Sequence, residues 1–207
     1  MACHPKIPID FWVLKPTIAF MFLTVLLILA AALYRFLPHP GNFAPLSAIA
    51  ICGGMYLSRR MSLIVVLGMV LATDLSENFL KYHGAYGVMP LEAVGHYAGF
   101  LAAICLGWWI RPRKNVWTVT GGTITASFLF YLTTNFVCWL DNPAYAKTLP
   151  GLVQCYTVGL PGWPSTVEFF IKTLASDLLF VGLFVTASEL AVRGLPRTRF
   201  EWLLAKV

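Results

Sequence analysis

The chain has 207 residues, of which 58% are hydrophobic and 12% charged, with a formal net charge of +6 and a mean hydropathy of +0.74. Soluble domains carry about 25% charged residues, whereas the apolar runs here reach the roughly 20 residues that cross a bilayer. The composition excludes an ordinary soluble domain and predicts one integral membrane domain over 1–207, with no segment long enough to fold separately.

Taken in chain order, the first predicted span covers about 17–37. Its LLILAAALY run is too long and too plainly flanked for a signal-peptide core with a small-residue cleavage site, so it is expected to stay in the mature protein. The second, short span follows the Pro40-Gly41 break and covers 44–57, and the third covers 61–75. Three more follow at about 90–110, 116–140 and 165–192, separated by outer loops at 76–89 and 141–164. The expectation is an all-α integral membrane protein of six transmembrane helices, with no repeat, heptad or low-complexity tract.

The fifteen Lys and Arg residues set the orientation. With a cytoplasmic N-terminus, the inner segments collect Lys6, Lys15, Arg59, Arg60, Arg111, Arg113, Lys114, Arg193, Arg197, Arg199 and Lys206, leaving only Arg35, Lys81, Lys147 and Lys172 elsewhere. Both termini are therefore expected in the cytoplasm, and the protein in a bacterial inner membrane. Basic loops facing anionic headgroups account for the net charge without nucleic acid.

Five cysteines, at 3, 52, 105, 138 and 155, show no CxxC and no zinc spacing. Cys52 and Cys105 read as small apolar helix residues. Cys138 and Cys155 both fall near the outer face, as a disulfide or as free thiols.

The stretch LTTNFVCWLDNPAY, Leu132 to Tyr145, sets Asn135 inside an apolar run, about one turn from the outer end of its span, with Trp139 at headgroup level. A buried unpaired amide costs on the order of 2 to 7 kcal/mol, so Asn135 is expected to meet another helix, a ligand or water. At the same level LATDLSEN supplies Asp74, Glu77 and Asn78, and PLEAVGH supplies Glu92 and His96 four residues apart. The last span adds Glu168, Lys172 and, near mid-depth, Asp177. For Asp177 the expected partners are a hydroxyl from Thr73, Thr125 or Ser127, trapped water, or a proton. Ionisable groups inside spans usually face a bundle interior or a cavity, and their shared depth predicts one outward-opening pocket.

Each of these residues also has a purely structural reading. Glu168 and Lys172 form a helix-surface pair at i,i+4, Glu92 and Asp74 sit at headgroup level, and His96 bonds between helices. The segment from Asp141 to Pro164, with Tyr145, Tyr156 and Trp163, reads as a lid or as a proline-braced cap, and Lys81, Tyr82, His83 and Tyr86 face it from the loop before Pro90. The expected polar pocket residues are Asn42, Asp74, Asn135, Tyr156, Lys172 and Asp177, with Trp139, Tyr145 and Trp163 as an aromatic rim.

The series LYRFLPHPGNFAPLSAIAICGGMYL, ATDL, LTTNFVCWL, Tyr145, GLVQCY and GLPGWP resembles a family of six-span bacterial membrane proteins catalogued as a domain of unknown function, over about Leu33 to Glu189. In layout that family resembles the substrate-binding S components of energy-coupling factor (ECF) vitamin transporters, a resemblance that rests on topology and on cues such as MYLSRR and TDL. It implies an S-component-like bundle, a vitamin-like or other small polar solute, and a membrane partner docked through small residues of the first helix. Here that helix has Ala30, Ala31 and Ala32, whereas the four-residue spacing falls at Ala44 and Ala48 of the second.

No GxSxG, HExxH, Walker A or dinucleotide fingerprint occurs, so an enzyme is not expected. Ala2-Cys3-His4 could bind copper or nickel at a free N-terminus, but that end is placed away from the pocket. His83 and His96 are too scattered to establish a corrinoid site, and neither cofactor nor metal is expected. The resulting expectation is a small-molecule binding or uptake component in the lipid bilayer, its solute zwitterionic or a polar heterocycle. The alternative is a non-catalytic accessory subunit of a larger membrane complex.

Overall fold

In the computed structural model, residues 18–38, 41–81, 83–84 and 91–194 are described. Cys3, His4, Lys6, Lys15, Tyr82, Tyr86, Pro90, Arg197, Arg199 and Lys206 lie outside them. The described residues contain seven α-helices and no strand: α1 Ile18–Leu33, α2 Leu46–Tyr56, α3 Arg59–Lys81, α4 Leu91–Ile110, α5 Val116–Asp141, α6 Leu149–Tyr156 and α7 Thr166–Gly194. Four of them, α3, α4, α5 and α7, are long and apolar enough to cross a membrane, while α1 and α2 are shorter apolar helices. This is a membrane protein.

Helix α2 is the centre of the bundle. Every residue from Ser47 to Tyr56 is buried, with α4 against one side and α1, α3, α5 and α7 around the others. The close approach of α2 to α4 depends on two glycines. A Cβ on Gly54 would stand 2.4 Å from the Ile104 carbonyl oxygen, and one on Gly107 would stand 2.4 Å from that of Ile51. Gly95 and Gly99 play the same part toward α5, where added methyls would meet the Thr133 carbonyl at 2.9 Å and Phe130 at 2.6 Å. Gly95, Gly99, Ala103 and Gly107 recur every four residues, the small-residue spacing that brings membrane helices together.

Local signals explain most helix ends. Asn115 and Thr118 form a reciprocal capping box at the start of α5. Thr148 caps α6, with Pro150 in its first turn, where a missing N–H costs nothing. Pro45 starts α2 but has no side-chain acceptor to offer, so the second helix begins at Leu46 rather than at 44. The third helix runs on to Lys81 rather than ending near Leu75, because LSENFLK contains no breaker and an arginine neutralises its acidic residues. The expected 141–164 loop contains α6, signalled by Thr148 and Pro150.

Candidate functional site

The side chain of Asp177 in α7 has no solvent exposure. It accepts the Ala48 backbone N–H at 3.0 Å and the Ser127 hydroxyl at 2.7 Å, with Ser47 as a further hydrogen-bond partner. Ala48 lies in the first turn of α2, whose N–H groups have no partner within their own helix. Asp177 is therefore a cap supplied from another helix, its oxygens accepting at the N-terminal end of α2. At the other end of α2, the Arg111 guanidinium donates to the Gly54, Met55 and Leu57 carbonyls. A short helix whose N-cap Pro45 offers no side-chain acceptor is thus held at both ends by hydrogen bonds with side chains elsewhere in the chain.

The chain entering α2 is irregular. Residues 37, 38 and 41–45 are non-helical, and Asn42 takes the left-handed conformation with φ 61°, which asparagine tolerates better than most residues. The Asn42 carbonyl accepts the Thr173 hydroxyl at 3.2 Å, and Phe43 and Tyr34 both pack on Phe180 of α7. Lys172, next to Thr173 in the chain, pairs with Glu168 one turn earlier at 2.7 Å, both side chains a third to a half exposed.

Arg35, in the turn after α1, reaches α3. One terminal nitrogen donates to Thr73 Oγ1 at 2.8 Å and Asp74 Oδ1 at 2.6 Å, and the other to Glu77 Oε2 at 2.7 Å. The Arg35 side chain is only 13% exposed, and the Tyr97 hydroxyl of α4 stands beside Asp74.

At the end of the bundle where α5 stops, α6 folds back over the helix. Tyr156 donates its hydroxyl to the Leu132 carbonyl at 2.7 Å, Tyr131 donates to the Tyr156 carbonyl, and the Cys155 thiol donates to the Asn135 carbonyl at 3.3 Å. The Asn135 amide donates to the Tyr131 carbonyl of its own helix at 2.8 Å. Trp139 donates to the Ala146 carbonyl at 2.9 Å, and Lys147 lies over its ring. Tyr145 is buried, and removal from water raises both its phenol and the Cys155 thiol above their ordinary values. Trp163 is 73% exposed. The described cysteines are free thiols, Cys138 and Cys155 hydrogen-bonded to each other.

Residues 15–198 match the family of unknown function DUF6580. The chain belongs to that family. No curated protein and no solved structure matches it.

The DUF6580 match takes in every group described above, and the nine expected site residues fall into separate places within it. Asn42, Lys172 and Asp177 lie along the first half of α7. Asn135, Trp139 and Tyr145 gather around α6, which ends in Tyr156. Asp74 belongs to the Arg35 clamp, and Trp163 stands in the connection before α7. His96 donates from Nδ1 to the Glu92 carbonyl at 2.9 Å and meets the edge of Phe130. No three His, Cys, Asp or Glu side chains gather as a metal site among the described residues. Sequence reasoning placed Arg35 only as a basic residue outside the inner loops. Its signal was available, since an arginine between apolar runs needs counter-charge at its own depth, and Asp74 and Glu77 supply it one helical turn apart.

Proposed function

We propose that this DUF6580 protein is a membrane-embedded small-molecule binding or uptake component with an outward-facing pocket, built on six membrane helices with both termini in the cytoplasm of a bacterium. The observation that carries this reading is the irregular chain around Asn42. Thr173 and Phe180, its contacts on α7, lie roughly 10 and 21 Å along that helix from Thr166 at 1.5 Å per residue. Non-helical backbone at such depth is tolerated where protein buries it or where it lines a water-filled cavity. Gly41 and Asn42 are exposed, which favours the cavity. Lys172 and Glu168 stand on the α7 turns above Asn42, and Asp177 lies below it at the start of the short helix. Charged groups of both signs over a polar floor suit a zwitterionic or polar heterocyclic solute, in keeping with the resemblance to ECF S components and their vitamin-like substrates.

A specific observation favours the alternative, an accessory subunit of a larger membrane complex. Asn135, Trp139 and Tyr156 each donate to a backbone carbonyl, so the cover at the α6 end holds itself together and leaves the indole and the phenol no donor for a ligand. Native mass spectrometry of the gently released protein separates the two readings. Uptake predicts a retained small molecule, weakened in Asn42→Gly, which keeps the left-handed backbone and removes the amide. A stoichiometric protein partner with no small molecule would replace the uptake reading by the accessory one. Impermeant thiol labelling tests the topology: a cysteine at Lys147 should react from outside, and one at Arg113 should not.

A further inference from the structure

At the end of the bundle opposite α6, α5 and α7 part to leave a groove of about 230 Å³. Its walls are apolar, with Val119 and Val181 in the floor, and it runs beside α5 from Val116 to Thr123, about two turns or roughly 10 Å. Lys114 and Asn115 close one end. The Lys114 ammonium sits 4.4 Å from the centre of the Tyr56 ring, and among the described residues no carboxylate stands within ion-pairing distance of it. Its neighbours are differently placed. Arg111 is committed to the α2 carbonyls, Arg113 lies over Trp109, and Glu189 of α7 approaches Lys114 without pairing. Trp109 and Trp117 are 57% and 85% exposed, the position indole rings take at the headgroup level of a bilayer. A partly buried cation at that level, over an apolar slot leading toward the membrane centre, matches a ligand with a phosphate at one end and a hydrocarbon chain at the other.

We propose that the groove between α5 and α7 is a binding site for an anionic phospholipid, one acyl chain lying along Val119 and Val181 and the phosphate held by Lys114 and Asn115. Gly182 provides a clean way to block it. This residue lines the groove, and a Cβ added there meets nothing within 4 Å, so a larger side chain fills the slot without disturbing the helix.

The test is native mass spectrometry of the full chain in detergent, titrated with phosphatidylglycerol and with phosphatidylcholine of the same acyl chains. The wild type should prefer phosphatidylglycerol. Lys114→Gln should reduce that preference about fivefold, the share expected of one basic residue near the surface, and weaken phosphatidylcholine, whose choline offsets its phosphate charge, less than phosphatidylglycerol. Gly182→Leu should weaken both lipids together, while Arg113→Gln should change neither. Glycerol phosphate, which lacks the chain, should not compete. The proposal is overturned by a wild-type lipid preference in Lys114→Gln, by wild-type affinity for both lipids in Gly182→Leu, or by an equal loss in Arg113→Gln, which would mean general surface charge. Competition by glycerol phosphate would overturn it in favour of a soluble-phosphate site.

Discussion

Asp177 and Ala48 lie 129 positions apart in the chain, and the carboxylate of one accepts the backbone N–H of the other at 3.0 Å. This bond fixes where α2 begins, because Pro45 has no acceptor to offer the first turn. Asp177→Asn keeps an oxygen for Ala48 and is expected to cost about 1 kcal/mol of stability in detergent, the scale of one hydrogen bond. Asp177→Leu strands the Ala48 N–H, while the Ser127 hydroxyl keeps the Thr123 carbonyl at 3.0 Å, and should cost about 1 to 3 kcal/mol. Equal melting temperatures for the two variants would show that the capping bond does not hold the helix.

Arg35 ties the turn after α1 to α3 through Asp74 and Glu77. Arg35→Leu leaves two carboxylates one turn apart without counter-charge, and about 1 to 3 kcal/mol should be lost, below the 3 to 5 of a fully buried pair because Asp74 is 37% exposed. Arg35→Lys should not restore it, since a single ammonium cannot reproduce the fork that reaches both acids. Adding Asp74→Asn and Glu77→Gln to Arg35→Leu should recover part of the loss. A triple variant no more stable than Arg35→Leu alone would argue that packing of the arginine stem, not charge, is what α3 requires.

The glycines of α2 and α4 make a prediction with an internal control. Gly54→Ala and Gly107→Ala each press a methyl to 2.4 Å from a carbonyl oxygen of the facing helix, and backbone cannot rotate away as a side chain can. Overpacking of this kind costs about 1 to 3 kcal/mol, sometimes more. Gly68→Ala and Gly121→Ala, where the added carbon meets nothing within 4 Å, should gain about 0.5 to 1 kcal/mol from helix propensity. Thermal unfolding of the four variants checks it, and four similar shifts would remove the case for close packing between α2 and α4.

These interactions show what the sequence could reveal and where it fell silent. Long apolar runs made α4, α5 and α7 readable nearly to the residue, because twenty or more apolar positions admit few other interpretations. The shared depth of Asp177 and Ser127 was also legible, since rise per residue converts position into height. Partner choice was not. Asn135 bonds within its own helix, and the acceptor, the Tyr131 carbonyl, is a backbone group that every sequence supplies and none advertises. Asp177 likewise meets an N–H left open by a proline 132 residues earlier. The four-residue spacing from Gly95 to Gly107 was present in the sequence and marks the tightest helix contacts, more strongly than the Ala44 and Ala48 pair.

Cys138 and Cys155 give the last prediction. Their thiols are hydrogen-bonded, and burial raises that of Cys155 above its ordinary value, so it should stay protonated and unreactive at neutral pH. Alkylation of Cys155 in the folded protein is expected to be far slower at pH 7 than in denaturant and to keep accelerating above about pH 8.5, where an ordinary thiol levels off. The folded thiol binds its proton more tightly than the unfolded one, so the linked stability is complete below the unfolded value and is lost as pH rises through the folded one. A mild two-electron oxidant such as a diazenedicarboxamide should take one electron pair and two protons from the two thiols, leaving a single S–S bond that ties α6 to α5. Closing the loop between positions 138 and 155 is worth about 3 kcal/mol in the chain-entropy view, which should appear as a higher melting temperature, absent in Cys155→Ser. Rapid alkylation of folded Cys155 at pH 7, with no bond formed on oxidation, would mean that α6 does not rest on α5 as described.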